Sequence, residues 1–148
     1  MLRLKPTFCA IGLFISGCFL SCGHGSQAVK QFNKDGLTIQ IVRVPGESGF
    51  GSTIAYSARL VPDKKITENQ DKMLTTRLWY RMDSCFYLQR GTKKIYAGII
   101  QPIANGVAGS YEYFLSFDIS AADQSRWDLI YQDKYLTRKK YSLKTAGL

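Results

Sequence analysis

The chain has 148 residues, of which 45% are hydrophobic, and its 20 Lys and Arg against 11 Asp and Glu give a formal net charge of +9 at pH 7. This length predicts one folded domain and not two. The single histidine, His24, lies near the N-terminus and cannot serve as the base of a Ser-His-Asp or Cys-His site in the body of the chain. Three of the four cysteines, Cys9, Cys18 and Cys22, lie in the N-terminal segment. One histidine and one cysteine, Cys85, in the remainder argue against zinc, which needs several such ligands, and we expect no metal and no cofactor.

The N-terminus has the pattern of a secretory signal. Arg3 and Lys5 precede residues 8–20, a run without charge, and this order matches a positive segment followed by an apolar one of about 7–15 residues. A helix that spans a bilayer needs about 20 apolar residues, whereas the polar residues 21–26 follow this run at once. The pattern therefore predicts export and cleavage rather than a spanning anchor.

The end of the apolar run resembles the lipobox of bacterial lipoproteins, in which an aliphatic residue and two mostly small residues precede a cysteine. ISGC at 15–18 matches the small-residue rule better, and FLSC at 19–22 is a looser match because Phe19 and Leu20 are bulky. The resemblance implies cleavage before the cysteine and its acylation, palmitate included, and more than one acyl chain gives durable membrane anchoring. We favour Cys22, because cleavage there leaves a polar start, with Cys18 as the alternative. The junction is also similar to those of small envelope lipoproteins of the Bacteroidota.

The predicted organisation has three parts: residues 1–21 as the lipoprotein signal peptide, 22–36 as a lipidated flexible tether, and 37–148 as the folded domain. The tether prediction is based on a polar sequence without periodicity. With Cys22 lipidated and the earlier cysteines removed, Cys85 is the only remaining thiol, so no internal disulfide is expected. Because Cys85 lies within an apolar pattern, we expect it to be buried.

Seven runs in the body show the period-two alternation or the β-branched density of strands. Seven short strands separated by turns predict an all-β fold, an antiparallel β-sandwich of about seven strands, immunoglobulin-like or transthyretin-like in order. Pro102 interrupts one run and predicts an edge, a bulge or a strand end, because proline cannot donate to a ladder. The runs are 37–44, 53–61, 78–89, 94–103, 111–119, 127–131 and 139–143.

The connections carry turn chemistry and two short helical patterns. The glycine-rich residues 46–52 lack the Gly-Lys-Ser/Thr ending of a phosphate loop and predict a plain connection between strands. Asn105-Gly106 is a hairpin signal within a longer loop. Residues 67–74 predict a short helix capped by Thr67, and residues 120–123 predict a single helical turn.

Carboxylates are the best candidates for chemistry. Asp83, Glu112 and Asp118 lie on the polar faces of predicted strands, and two carboxylates about 5–10 Å apart can hydrolyse a glycoside. We favour the simpler interpretation, a cross-strand ion pair of Asp83 or Glu112 with Arg81, since such pairs are common on solvent-facing strands. No catalytic residue is therefore expected.

Surface composition points to binding. Trp79, Tyr87, Phe114 and Tyr135 fall on the outward register of the predicted strands, and partly exposed aromatics beside arginine are typical of protein-binding hot spots. The basic residues 138–140 are interpreted as a solvated face. Outside the inner membrane, a basic protein meets lipid head groups, lipopolysaccharide and acidic proteins, so we expect no nucleic-acid partner.

The expected function is a membrane-anchored, non-catalytic structural or interaction subunit of a cell-envelope assembly. Its architecture resembles the small sandwich lipoproteins of type VI secretion and related machines. The expected location is the outer membrane, facing the periplasm, and the expected partners are the membrane and other envelope proteins, with the oligomeric state left open. The alternative is a ligand-binding or inhibitor lipoprotein, and a carboxylate-dependent hydrolase ranks third.

Overall fold

The computed structural model describes residues 28–45, 53–68, 71–145 and 148. Within these ranges the chain forms nine strands in two antiparallel sheets of five and four strands, which confirms the predicted all-β sandwich. The proposed signal, Cys18, Cys22 and the glycine-rich residues 46–52 lie outside the described residues. The strands are β1 (Val29–Lys34), β2 (Leu37–Val44), β3 (Ile54–Pro62), β4 (Phe86–Arg90), β5 (Lys93–Tyr96), β6 (Ile99–Ile103), β7 (Tyr111–Phe117), β8 (Asp128–Gln132) and β9 (Lys140–Leu143).

The strand order is immunoglobulin-like. The larger sheet runs β1-β2-β3-β7-β6 and the smaller β5-β4-β8-β9. If β2 is taken as strand A of an immunoglobulin domain, these orders become A-B-E-D and C′-C-F-G, which is the arrangement of that sandwich. β1 adds one strand beside A, at the edge of the larger sheet. Of the two orders that the sequence left open, the structure therefore has the first.

The core lies between the two sheets and follows the predicted alternation. On β3, the side chains of Ile54, Tyr56, Ala58 and Leu60 are all buried. β7 buries alternate residues in the same way, whereas β8 buries Leu129, Ile130 and Tyr131 in succession. Period-two patterning therefore predicted the inward face of these strands correctly, because successive side chains of a strand point to opposite faces of its sheet. The inward residues of β7 and β8 are Tyr111, Tyr113, Leu115, Phe117, Leu129 and Tyr131.

The predicted tether is too long, because residues 29–34 form β1. Asp35 and Gly36 have positive φ angles of 57° and 73° and connect Lys34 directly to its partner Leu37. Two central residues with positive φ make the two-residue turn that favours a hairpin, so β1 pairs with β2 along its whole length. The strand escaped sequence analysis because only Phe32 packs on the core, and an exposed edge strand shows little alternation.

The helices also differ from the prediction. Helix α1 (Lys64–Thr67) ends at Thr67. The prediction that Thr67 caps the start of a helix is therefore wrong. Helix α2 (Leu74–Tyr80) occupies the first part of the run expected to be one strand over 78–89. Leu74 and Leu78 lie four residues apart and are both buried, which is helical spacing. The sequence favours a strand here because Leu78 and Met82, four residues apart, fit the period of a strand as well as that of a helix.

The run predicted over 94–103 is divided between the two sheets. β5 lies at an edge of the smaller sheet and β6 at an edge of the larger one, and Ala97 and Gly98 carry the chain across. Pro102 lies in β6, so its predicted edge position is confirmed. This division and β1 together explain why the structure has nine strands where the sequence predicted about seven.

Candidate interaction surfaces

Glu112 lies on the outer face of the larger sheet and is held by an arginine, although not by the predicted Arg81. Its Oε2 accepts hydrogen bonds from Nε and Nη2 of Arg59 at 3.0 and 2.7 Å, and its Oε1 accepts one from Ser57 at 2.8 Å. Burial raises the pKa of Glu112, but the hydrogen bonds from Arg59, Ser57 and Asn105 outweigh burial and hold it below its ordinary value. This carboxylate is ionised and fully engaged, which suits a structural cross-strand pair.

The other predicted carboxylates do not join Glu112. Asp83 is exposed in the turn between α2 and β4, and Asp118 is exposed after β7. Among the described residues, neither carboxylate hydrogen-bonds to Glu112. In the part of the chain that the structure describes, no three His, Cys, Asp or Glu side chains are grouped to hold a metal ion.

A buried carboxylate that the sequence analysis missed organises the segment between β8 and β9. The side chain of Asp133 accepts hydrogen bonds from the backbone N–H groups of Tyr135, Leu136, Thr137 and Arg138 and from two hydroxyls, those of Tyr131 and Thr137. Asp commonly accepts from the backbone of a following turn, which is the only sequence signal for this role. Its neighbours make it a structural anchor for residues 133–139.

Cys85 is buried, as predicted, and its thiol is free. Burial is the main cause that raises its pKa to about 11, against a smaller opposing influence of Lys134. Because the thiolate is the nucleophile, Cys85 is chemically inert at neutral pH. The residue belongs to the hydrophobic core and offers no reactive site.

This inertness is testable by labelling. In a chain whose Cys9, Cys18 and Cys22 are replaced by Ser, we expect a thiol reagent at pH 8 to modify Cys85 at least about 100-fold more slowly in the native than in the unfolded state, since an unperturbed thiol has a pKa near 8.5. The comparison uses a small disulfide reagent with and without guanidinium. Equal rates in the two states would contradict the assignment of Cys85 to the core.

An aromatic concavity lies beside the C-terminal end of α2. Tyr80 is 72% exposed, while Trp79 is half-buried and packs edge-on against Tyr111, with 5.7 Å between ring centroids. The concavity has a volume of about 170 Å³ and is open to solvent. We call it the aromatic concavity, and its lining residues are Trp79, Tyr80, Met82, Asp83, Ile100, Pro102 and Tyr113.

Two tyrosine hydroxyls fix the end of α2. The hydroxyl of Tyr113 donates to the carbonyl oxygen of Leu78, and that of Tyr135 donates to the carbonyl oxygen of Arg81 at 2.6 Å. These carbonyls belong to the last turn of the helix and its cap, where backbone acceptors lack intrahelical partners. The backbone that carries Trp79 and Tyr80 is therefore fixed before any partner arrives.

The predicted exposed aromatics are only partly confirmed. The prediction agrees with the structure for three half-buried side chains, those of Trp79, Phe114 and Tyr135. It is wrong for Tyr87, whose side chain is only 3% exposed. The prediction also missed Tyr80, which lies in the run 78–89 that the sequence predicts to be one strand. The helical spacing of Leu74, Leu78 and Met82, rather than alternation, is the signal that turns Tyr80 towards solvent.

Lysines cover Tyr87 on the outer face of the smaller sheet. Nζ of Lys94 lies 4.8 Å and Nζ of Lys140 lies 5.8 Å from the centroid of its ring. Tyr96, its partner on β5, packs against the same ring with 5.4 Å between centroids. Lysine stems can bury an apolar surface while their ammonium groups remain in water, so this face presents positive charge above an aromatic layer.

A second concavity opens on the same face, with a volume of about 380 Å³. It lies where the β4–β5 turn meets β8, β9 and the end of the 3₁₀ helix Ala121–Arg126. Three cations and one carboxylate border it. We call it the basic concavity, and its lining residues are Gln89, Arg90, Gly91, Ser125, Arg126, Asp128, Ile130, Lys140 and Ser142.

Comparison with known proteins supplies no family for the chain. No family model, curated protein or solved structure matches it. Among the described residues, no helix is both long and apolar enough to span a bilayer. The two concavities are therefore the features from which a function can be argued.

Proposed function

We propose that the protein is a membrane-anchored lipoprotein that acts as a non-catalytic structural and interaction subunit of a cell-envelope assembly. The observation that supports this proposal most strongly is the aromatic concavity. Tyr80 projects into solvent from a helix end that is held by the hydroxyls of buried Tyr113 and half-buried Tyr135. Trp, Tyr and Arg dominate the energetics of protein interfaces, and Arg77 and Arg81 flank this site in the sequence.

The size of the aromatic concavity favours a protein partner. Sites for whole small molecules have volumes of about 300–1,000 Å³, whereas this one has about 170 Å³. Such a volume suits one inserted side chain, surrounded by contacts that exclude water. Because the lining is already ordered, docking does not require the loss of much conformational freedom, which is a common source of weak affinity.

The anchor is proposed at Cys22, with Cys18 as the alternative, in an outer membrane that the domain faces from the periplasm. The position of β1 shortens the proposed tether to residues 22–28. Seven residues span at most about 25 Å, half of what residues 22–36 would allow. A domain held so closely suits a subunit that bridges the membrane and a neighbouring protein, and we propose an assembly of the secretion type.

Of the alternatives, a ligand-binding role is favoured by the basic concavity, whose volume falls within the range of small-molecule sites. The hydrolase alternative gains no support. Glu112 is engaged by Arg59 and Ser57, and Asp83 lies in a separate exposed turn.

The docking proposal is tested by crosslinking and affinity capture from native membranes. We expect wild type to capture a defined set of envelope proteins and Tyr80→Ala to lower that capture at least about tenfold, because loss of a hot-spot aromatic costs about 2 kcal/mol or more. Tyr96→Ala is the matched control, since Tyr96 is also exposed but lies outside the aromatic concavity. Cys22→Ala tests the anchor separately. Equal capture by wild type and Tyr80→Ala would refute this docking site.

A further inference from the structure

The basic concavity collects cations from three separate elements. Arg90 ends β4, Arg126 ends the 3₁₀ helix, and Lys140 begins β9. Lys140 crosses β8 to reach β4, where its Nζ donates to Oε1 of Gln89 at 2.7 Å. The fold thus brings together three positive charges that are far apart in the sequence.

The positive charge of this concavity is only weakly compensated. Asp128 is its single acidic lining residue. Arg126 has a pairing partner, Asp123, at 3.3 Å, but both side chains are about half exposed, and such surface pairs are weak. The ion pairs of the described residues are Arg59–Glu112, Arg77–Asp71, Arg126–Asp123 and Lys139–Asp35, none of which uses Arg90 or Lys140.

The remaining lining groups fit a phosphorylated ligand. Arginine guanidinium groups match phosphate oxygens with paired N–H donors, and the hydroxyls of Ser125 and Ser142 add further donors. Buried Ile130 provides an apolar floor. The volume of about 380 Å³ accommodates a phosphate together with a small organic group.

We infer that the basic concavity binds a phosphomonoester, with Arg90, Arg126 and Lys140 as the groups that recognise its phosphate. The same chemistry occurs in a soluble phosphate ester and in the head group of a phosphomonoester lipid. Asp128 lowers the affinity of the site, because its carboxylate opposes an incoming dianion. This assignment is independent of partner docking at the aromatic concavity.

The first arm of the test uses calorimetric titration of the full chain in detergent with glycerol phosphate at low salt, and glycerol as the uncharged match. We expect glycerol phosphate alone to bind, and Arg90→Gln, Arg126→Gln and Lys140→Gln each to weaken binding about tenfold or more. Lys65→Gln, which removes an exposed positive charge on α1, is the control and is expected to bind like wild type.

A variant that is expected to strengthen binding distinguishes an effect on the site from a loss of folding. Asp128→Asn is expected to tighten binding about two- to fivefold, the size of one surface charge interaction, whereas Asp83→Asn, at the other concavity, is expected to change nothing. A damaged fold cannot produce tighter binding. Tyr80→Ala is expected to bind glycerol phosphate normally, which separates this site from the docking proposal.

The second arm distinguishes the two sources of phosphate by flotation with vesicles. Phosphatidylcholine vesicles give the baseline, and the added binding caused by phosphatidic acid is measured. Binding of glycerol phosphate that the three Gln variants weaken supports a soluble ligand. Added vesicle binding that they abolish, without glycerol phosphate binding, supports a lipid head group. Binding in neither arm, or equal binding by wild type and the three Gln variants, overturns the inference.

Discussion

Replacement of Asp133 by Ala is expected to lower the free energy of unfolding by about 3–5 kcal/mol, because hydrogen bonds to a charged group are worth about 1.5–3 kcal/mol and several are lost together. Asp133 is 1% exposed, and its carboxylate accepts from four backbone N–H groups and two hydroxyls. Without it, the backbone N–H of Leu136 and the hydroxyl of Tyr131 lose their acceptor in a buried position. Urea unfolding followed by tryptophan fluorescence measures the loss.

The matched control for this prediction is Asp128→Ala. Asp128 is an exposed aspartate on the neighbouring outer face of β8, so its removal should change stability by no more than about 0.5 kcal/mol. If Asp133→Ala were as mild as Asp128→Ala, the carboxylate would not be the anchor of residues 133–139.

The effect of Asp133 should depend on pH. Burial raises its pKa, but the backbone N–H groups of Thr137, Tyr135 and Leu136 together outweigh burial, so the pKa lies below its ordinary value of 3.8. A lower pKa in the folded than in the unfolded state stabilises the protein above the unfolded pKa, and this stabilisation is lost as the pH falls through the folded pKa. The stability difference between wild type and Asp133→Asn should therefore be largest at neutral pH and shrink below about pH 4.

The sequence predicted the sandwich well because its strands turn alternate residues towards the core. The alternation of Ile54, Tyr56, Ala58 and Leu60 marks the inner face of β3, and the core confirms it. Pro102 correctly indicated an edge strand. These are local signals that depend only on which side of a strand meets the core, and such signals can be read without knowing the partner strands.

Other features depend on contacts distant in sequence, and the sequence could not supply them. β1 is stabilised by pairing with β2 rather than by its own pattern, and the partner of Glu112 is Arg59, 53 residues away, rather than Arg81. Both concavities join segments that only the strand order brings together. The sequence predicted a binding role from composition but could not locate Tyr80 or the cluster of Arg90, Arg126 and Lys140.

Replacement of Phe86 by Ala is expected to cost about 3–5 kcal/mol, the usual range for a fully buried phenylalanine. Phe86 lies on β4 and is completely buried. Its ring stacks on Tyr131 with 4.8 Å between centroids and lies 5.9 Å from Tyr113. Because Tyr131 belongs to the same sheet and Tyr113 to the opposite one, Phe86 connects the two layers, and its loss leaves a cavity between them.

The control is Phe114→Ala, because Phe114 is a half-buried phenylalanine on β7. Its replacement should lower the free energy of unfolding clearly less than that of Phe86. Phe86→Leu, which retains most of the volume, is expected to cost no more than about 1.5 kcal/mol. A small domain is stable by only about 5–15 kcal/mol, so Phe86→Ala should remain folded but unfold at a much lower urea concentration. The stability that Phe86→Ala removes should also be the same at pH 7 and pH 3, because no proton is involved, whereas the stability that Asp133→Asn removes should be smaller at pH 3. Equal pH dependence of the two variants would mean that acid weakens the packing between the sheets rather than the carboxylate of Asp133.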